Sequence, residues 1–355
     1  MRMNKKYYAG LDKLRFFAFM LVFFQHIFSI TFDFIFSKLR IDKVPNFIKY
    51  SGSIGVQFFF VLSGFLITLL LIDEKNNFGK INLKYFYLRR IFRIWPLYYF
   101  LMFLVIFILP YISEIFCFNG NKYLNLIFLN NYDISGQKMY SGITWSIAIE
   151  EQFYLFWPLL FIFFNNNKII LIISIIIYII SASKHLIYPN DIYFDTIGNL
   201  CYLMVGCMGA LLFEKVKNFS SFLLILNNNL FKYSLVASFS LLILLNEFYP
   251  FLTYTLLPIV YVLIIYYMIY YNHLIKTSFF SRLGKYTYGM YLLHPLLILF
   301  VKIGFDKLKL NYLNDKSTDL ILILISFSLT IIISILSYKY FESFFLKFKN
   351  RFYNS

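Results

Sequence analysis

Arg15 and His26 stand eleven positions apart on a run that otherwise reads as a membrane helix. The stretch 16–32 (FFAFMLVFFQHIFSITF) carries the histidine near its middle and is preceded by Asp12, Lys13 and Arg15. Eleven residues make almost three helical turns, so the two side chains share one face, about 16 Å apart along the axis. Arg15 then lies at the membrane surface and His26 near mid-bilayer. An ionisable group held there costs free energy and marks a functional site. Neutral imidazole, with an ordinary pKa of about 6.5, is suited to take the proton of a weakly acidic hydroxyl.

Four further constellations carry chemistry. In 83–99 (LKYFYLRRIFRIWPLYY), Arg90 and Arg93 are three apart and Arg89 and Arg93 four apart, which makes them neighbours on a helix. Clustered guanidiniums bind phosphates bidentately, although an ordinary basic anchor at the membrane surface has the same composition. In 55–68 (GVQFFFVLSGFLIT), Ser63 and Gly64 let either another helix or a ligand approach the backbone. In 143–158 (ITWSIAIEEQFYLFWP), the adjacent carboxylates Glu150 and Glu151 interrupt an apolar segment. They point about 100° apart, so one faces the site while the other meets Trp145–Ser146 or solvent, and Glu151, Tyr154 and Pro158 share a face. An interfacial pair marking the real start of the span is the alternative. In 283–295 (LGKYTYGMYLLHP), His294 precedes a proline, which disfavours helical geometry at the histidine and frees a backbone carbonyl nearby. His294 then lines a cavity or hydrogen-bonds a broken helix. His185 and His273 fall in predicted loops.

These residues need a membrane scaffold, and the composition provides one. The 355-residue chain is 60% hydrophobic and 14% charged, with a mean hydropathy of +0.70. Ten apolar segments stand out: 16–32, 54–72, 94–110, 143–164, 168–183, 196–213, 233–248, 252–271, 286–301 and 319–338. Most approach the roughly 20 residues that cross a bilayer, with 168–183 and 286–301 short. The expected fold is an all-α integral membrane bundle of about ten helices in a single domain (core about 11–340), with no appended soluble domain. The first segment is too long for a cleavable signal peptide and carries a histidine. Placing both termini in the cytoplasm puts 22 of the 33 Lys and Arg on that side, as retention of positive charge requires. The net charge of +16 thus reflects topology and lipid headgroups, not nucleic acid. Three cysteines without paired spacing form neither a disulfide framework nor a zinc site, and no motif calls for a metal.

Five stretches in order, LDKLRFFAFMLVFFQH (11–26), GVQFFFVLSGFLIT, FYLRRIFRIWPLYY (86–99), TWSIAIEEQFYLFWPLL (144–160) and LGKYTYGMYLLHP, resemble acyltransferase family 3, multispan O-acyltransferases of bacterial surface glycans. The family's Arg-x10-His pattern falls on Arg15 and His26, its Arg-x-x-Arg on Arg90 and Arg93, and its Phe-Phe-x-x-Ser-Gly on Phe59, Phe60, Ser63 and Gly64. The chain departs at Gln57, where relatives often carry an acidic residue, and at Lys13, where glycine is frequent. The resemblance implies acetyl-CoA as donor and a carbohydrate hydroxyl as acceptor, on a surface polysaccharide, lipopolysaccharide side chain, lipid-linked sugar or exopolysaccharide, at the bacterial inner membrane. On that reading Arg90, Arg93 and Arg15, with Arg89 beside them, hold the donor phosphates at the cytoplasmic surface, and His26 is the base. Glu151 or Asp12 fixes its tautomer, and backbone groups near Ser63–Gly64 steady the oxyanion. Glu150, Trp145, Tyr154 and His294 are further candidates. A transporter or flippase of lipid-linked sugars is the competing class.

Overall fold

In lipid, a chain can satisfy its backbone polar groups only by closing them internally, and these apolar runs do so as helices. The computed structural model describes residues 8–38, 46–133, 139–188, 193–217, 224–246, 248–271, 278–308 and 316–352; His273 lies outside them. Ten long helices follow in order: α1 (Ala9–Lys38), α2 (Asn46–Phe78), α3 (Leu83–Phe103, continued through a π-helical turn at Leu104–Ile108 to Ile112), α4 (Trp145–Phe163), α5 (Asn167–Ile187), α6 (Thr196–Val216), α7 (Asn229–Leu245), α8 (Pro250–Tyr270), α9 (Thr287–Lys307) and α10 (Lys316–Ser337). A second π turn at Tyr338–Glu342 carries α10 into a last helix, Ser343–Arg351. Each expected segment falls on one of these helices.

Among the described residues, eight helices are long and apolar enough to cross a membrane, and α7 is a shorter apolar one. Helix α1 carries Asp12, Lys13 and Arg15 in its first two turns, ahead of its apolar stretch. The segments that look short in sequence are 21-residue helices, α5 and α9. Helix α5 runs on past the expected segment through Lys184 and His185 to Ile187, so His185 is not in a loop: it is buried in the last turn, its Nε2 2.9 Å from the Gly198 carbonyl of α6.

Helices α2 and α6 form the centre, with 72% of each apolar window buried, whereas α5 and α10 have 28% and 22% and present Ile172, Ile176, Ile325 and Ile332 outward. Glycine makes the central contact possible. A Cβ at Gly64 would lie 2.1 Å from the Leu203 carbonyl oxygen, and one at Gly206 would lie 2.1 Å from that of Val61. The two helices therefore meet backbone to backbone, as small residues permit in membranes.

The turn from α2 to α3 positions the arginine segment. Gly79 takes φ +69° and donates its N–H to the Lys75 carbonyl at 2.8 Å, closing α2. Asn82 caps α3 by accepting from the Tyr85 N–H, while its own N–H donates to Glu74 Oε1 at 2.9 Å. Glu74 Oε2 in turn accepts from Arg89 Nη2 at 2.5 Å, and both side chains are buried. Glu74→Gln leaves that guanidinium without its charge partner and should cost about 3–5 kcal/mol of stability. The check is thermal unfolding in detergent, where an unchanged midpoint would reject the role.

Candidate active site

The sequence motif His294–Pro295 builds the centre of the site. Proline has no N–H, so the Tyr291 carbonyl four residues earlier loses its usual helical partner. Helix α9 nevertheless continues through Pro295; the expected break at His294 does not occur, because the His294 ring takes up the freed group. His294 Nδ1 lies 2.8 Å from the Tyr291 oxygen and 3.0 Å from that of Met290. Carbonyl oxygens only accept, so Nδ1 carries the hydrogen and Nε2 of the neutral ring is an acceptor.

His294 Nε2 lies 2.8 Å from His26 Nδ1. The tautomer chain then runs one way: His26 Nδ1–H donates to His294, leaving His26 Nε2 with an open lone pair. His294 is fully buried between Phe19 and Phe23 of α1, whereas His26 is half-buried. The orienting group is thus an imidazole. Neither expected carboxylate takes that place: Asp12 pairs with Arg15 at 2.7 Å, one turn away on the same helix, and Glu151 bonds elsewhere. Beside the pair, Ser146 Oγ and Tyr291 Oη lie 2.7 Å apart.

The two carboxylates of α4 diverge as helical geometry requires, each bonding to a different helix and neither to Trp145–Ser146. Glu150 turns to α2, accepting from Ser63 Oγ at 2.7 Å and from Tyr154 Oη at 3.0 Å. Glu151 turns to α3, accepting from Trp95 Nε1 at 2.8 Å on one oxygen. Its other oxygen is buried and has no hydrogen-bond partner among the described residues. Both carboxylates are thus bonded to neighbouring helices of the bundle.

The arginines divide. Arg89 is committed to Glu74 and to the Phe352 carbonyl at 3.0 Å, so it anchors the C-terminal helix to α3 and has no open donor fork to offer a phosphate. The Arg90 guanidinium lies over the rings of Phe86 and Tyr154, 5.8 Å from each centroid. Arg15 and Arg93 are near enough to the Glu150 carboxylate for their charges to act on it. With Ser63 and Tyr154 bonded to Glu150, and Arg90 over the Tyr154 ring, these residues group into one polar cluster. Four residues before Glu150 on α4, Ser146 begins a separate polar run: its Oγ meets Tyr291 Oη, the Tyr291 carbonyl meets His294, and His294 meets His26.

Two expected residues stand apart. The α-carbon face of Gly64 is closed by Leu203, so on that face this glycine serves helix packing. Trp145 is packed against Phe60, Tyr193 and Phe194, with ring centroids 5.9, 5.0 and 5.2 Å away. Trp95, Ser146 and Tyr291 were missed from sequence. Trp95 and Tyr291 lie inside the quoted motifs, but in a chain with 46 Phe and 31 Tyr an aromatic residue carries little signal.

The chain is similar to several curated proteins. YrhL of Bacillus subtilis (strain 168), provisionally named a peptidoglycan O-acetyltransferase, is 27% identical over 241 residues, covering 61% of this chain and 35% of that protein. The O-acetyltransferase OatA of Staphylococcus aureus (strain NCTC 8325 / PS 47) is 31% identical over 231 residues, 58% of this chain and 35% of its own length. A second Staphylococcus aureus protein (strain COL), provisionally named an O-acetyltransferase, is 28% identical over 340 residues, 83% of this chain and 53% of its own. The chain thus spans between a third and just over a half of the length of these relatives. No solved structure matches it. The model of the acyltransferase domain family, acyltransferase family 3, matches residues 8–339, from the start of α1 into the π turn after α10, and the chain belongs to that family.

Proposed function

We propose that this protein is a membrane O-acyltransferase that moves an acyl group, most simply acetyl, from acyl-CoA to a carbohydrate hydroxyl, with His26 as base. One observation carries the reading: the bond from His26 Nδ1 to His294 Nε2, which leaves His26 Nε2 unprotonated. In the reaction the acceptor hydroxyl gives its proton to His26 Nε2 as its oxygen attacks the thioester carbonyl. The carbon–sulfur bond breaks, and the proton passes to the departing thiolate, giving O-acyl carbohydrate and CoA thiol. His294 is a positioning residue that keeps Nδ1 of His26 in the donor role throughout.

The polar cluster supports the donor side. Arg93 makes no ion pair within 4.0 Å among the described residues, and with Arg90 it forms a guanidinium pair matched to a polyphosphate, whereas Arg15 is paired with Asp12. Glu150 balances that positive charge and, through Ser63 and Tyr154, joins α2 to α4. The unpartnered oxygen of Glu151 is a ready acceptor for a substrate hydroxyl. Arginines facing the cytoplasm would agree with the charge bias of the loops and place the enzyme in a bacterial cytoplasmic membrane. The name of the Bacillus subtilis relative makes a peptidoglycan hydroxyl the first acceptor to test.

Arg90→Gln with Arg93→Gln should weaken acetyl-CoA binding by about 10²-fold, with the larger effect in KM, since each lost charged hydrogen bond is worth about 1.5–3 kcal/mol. Unchanged affinity in titration calorimetry would remove the phosphate role. The function itself is tested by mass spectrometry of surface glycans from a deletion strain complemented with wild type or His26→Ala. Loss of an acetyl mass in the deletion strain, restored only by wild type, is expected. Glycans that keep every acetyl group would favour the transport reading instead.

A further inference from the structure

Two carboxylates from different helices, Glu150 of α4 and Glu342, are near enough to feel the charge of Arg93, and it closes on neither. Glu342 lies three residues beyond the stretch matched by the family model. Neither carboxylate lies within 4.0 Å, in contrast to the tight Arg15–Asp12 and Arg89–Glu74 pairs nearby.

The backbone explains how Glu342 arrives there. The π turn Tyr338–Glu342 places an extra residue in the helical turn, which shifts the inward-facing side by one position. Glu342 is then only 8% exposed on a helix that mostly faces outward. Its Oε1 accepts from Ser337 Oγ at 3.2 Å and would lie 3.2 Å from a Cβ at Gly289, so the missing side chain on α9 admits the carboxylate. The preceding residue, Tyr288, donates its hydroxyl to the Ile94 carbonyl at 2.6 Å, one residue after Arg93. Phe341 packs at a tilt against Phe100 of α3 and Phe348 stacks on Phe92, which fixes this helix beside the arginine segment.

We propose that Glu342 is a positioning residue for Arg93, counterbalancing Glu150 so that the guanidinium stays available to an anionic phosphate of the acyl donor. This inference rests on the donor role given to Arg93 above. A buried guanidinium facing a single carboxylate would close into a tight pair, as Arg89 does with Glu74, and would then be lost to a ligand. Two carboxylates on different helices divide its attraction. Removing Glu342 lets Arg93 collapse onto Glu150.

The test is a double-mutant cycle on the full chain in detergent micelles or nanodiscs, with acetyl-CoA binding as the readout. Glu342→Gln should weaken binding roughly threefold to tenfold in the wild-type background and leave it unchanged in Arg93→Gln. Glu342→Asp, which keeps the charge, should restore most of the affinity, and it carries the comparison if the Gln variant does not fold. A purely structural role predicts the same loss in both backgrounds, and that result overturns the inference. So does binding that is unchanged or tighter in Glu342→Gln. If Arg93→Gln alone leaves binding intact, the donor role of Arg93 fails first, which separates the two failures.

Discussion

His26→Ala is expected to lower acyl transfer by about 10³-fold, within the range of a lost general base, without loss of the folded bundle. His26 is half-buried at its site, and its ring bonds to His294. His294→Ala should lower turnover by about 10²-fold while leaving acetyl-CoA affinity near wild type. Without an acceptor at His294 Nε2, nothing holds the hydrogen on Nδ1 of His26, and the ring is free to place it on Nε2, where it blocks proton abstraction. His294→Gln keeps a carbonyl acceptor and should recover part of the loss. Release of CoA thiol, followed with purified enzyme and an acceptor glycan, separates kcat from KM. Full activity in His26→Ala would remove the base assignment. Equal losses in the Ala and Gln variants of His294 would show that tautomer control is not its role.

Gly64→Ala should cost more than about 3 kcal/mol and in cells should abolish accumulation of the protein. The added methyl would stand 2.1 Å from the Leu203 carbonyl oxygen and 3.2 Å from its Cα. These are backbone atoms of a buried helix, with no rotamer to yield, so α2 and α6 must separate and lose packing along the centre of the bundle. Gly206→Ala meets the Val61 carbonyl at the same distance and should behave alike. Gly304→Ala, where nothing lies within 4 Å, provides the control and should be neutral or slightly stabilising. The measurement is thermal unfolding in detergent. A Gly64→Ala midpoint equal to that of Gly304→Ala would contradict the backbone contact.

Much of the molecule was legible in the order of its residues. Each of the ten apolar runs is a helix, and Arg15 and His26 share a face because α1 is unbroken from Ala9 to Lys38. The effect of Pro295 was half legible: a freed carbonyl was expected, but not that the adjacent imidazole would take it and let the helix continue. Helix periodicity and a missing N–H act over four residues, so neighbouring positions suffice to state them.

Partner choice was not legible. Nothing near His26 in the chain points to His294, 268 residues away. Arg89 and Arg93 lie one turn apart, yet one is tied to Glu74 and the other closes on neither Glu150 nor Glu342. Glu150 and Glu151 are adjacent, yet one reaches α2 and the other α3. The rotation and closeness of each helix settle these outcomes, and close packing at residues far from the site sets both, as where Gly64 and Gly206 bring α2 and α6 into backbone contact. Local sequence states which groups face inward; only the assembled bundle decides which of them meet.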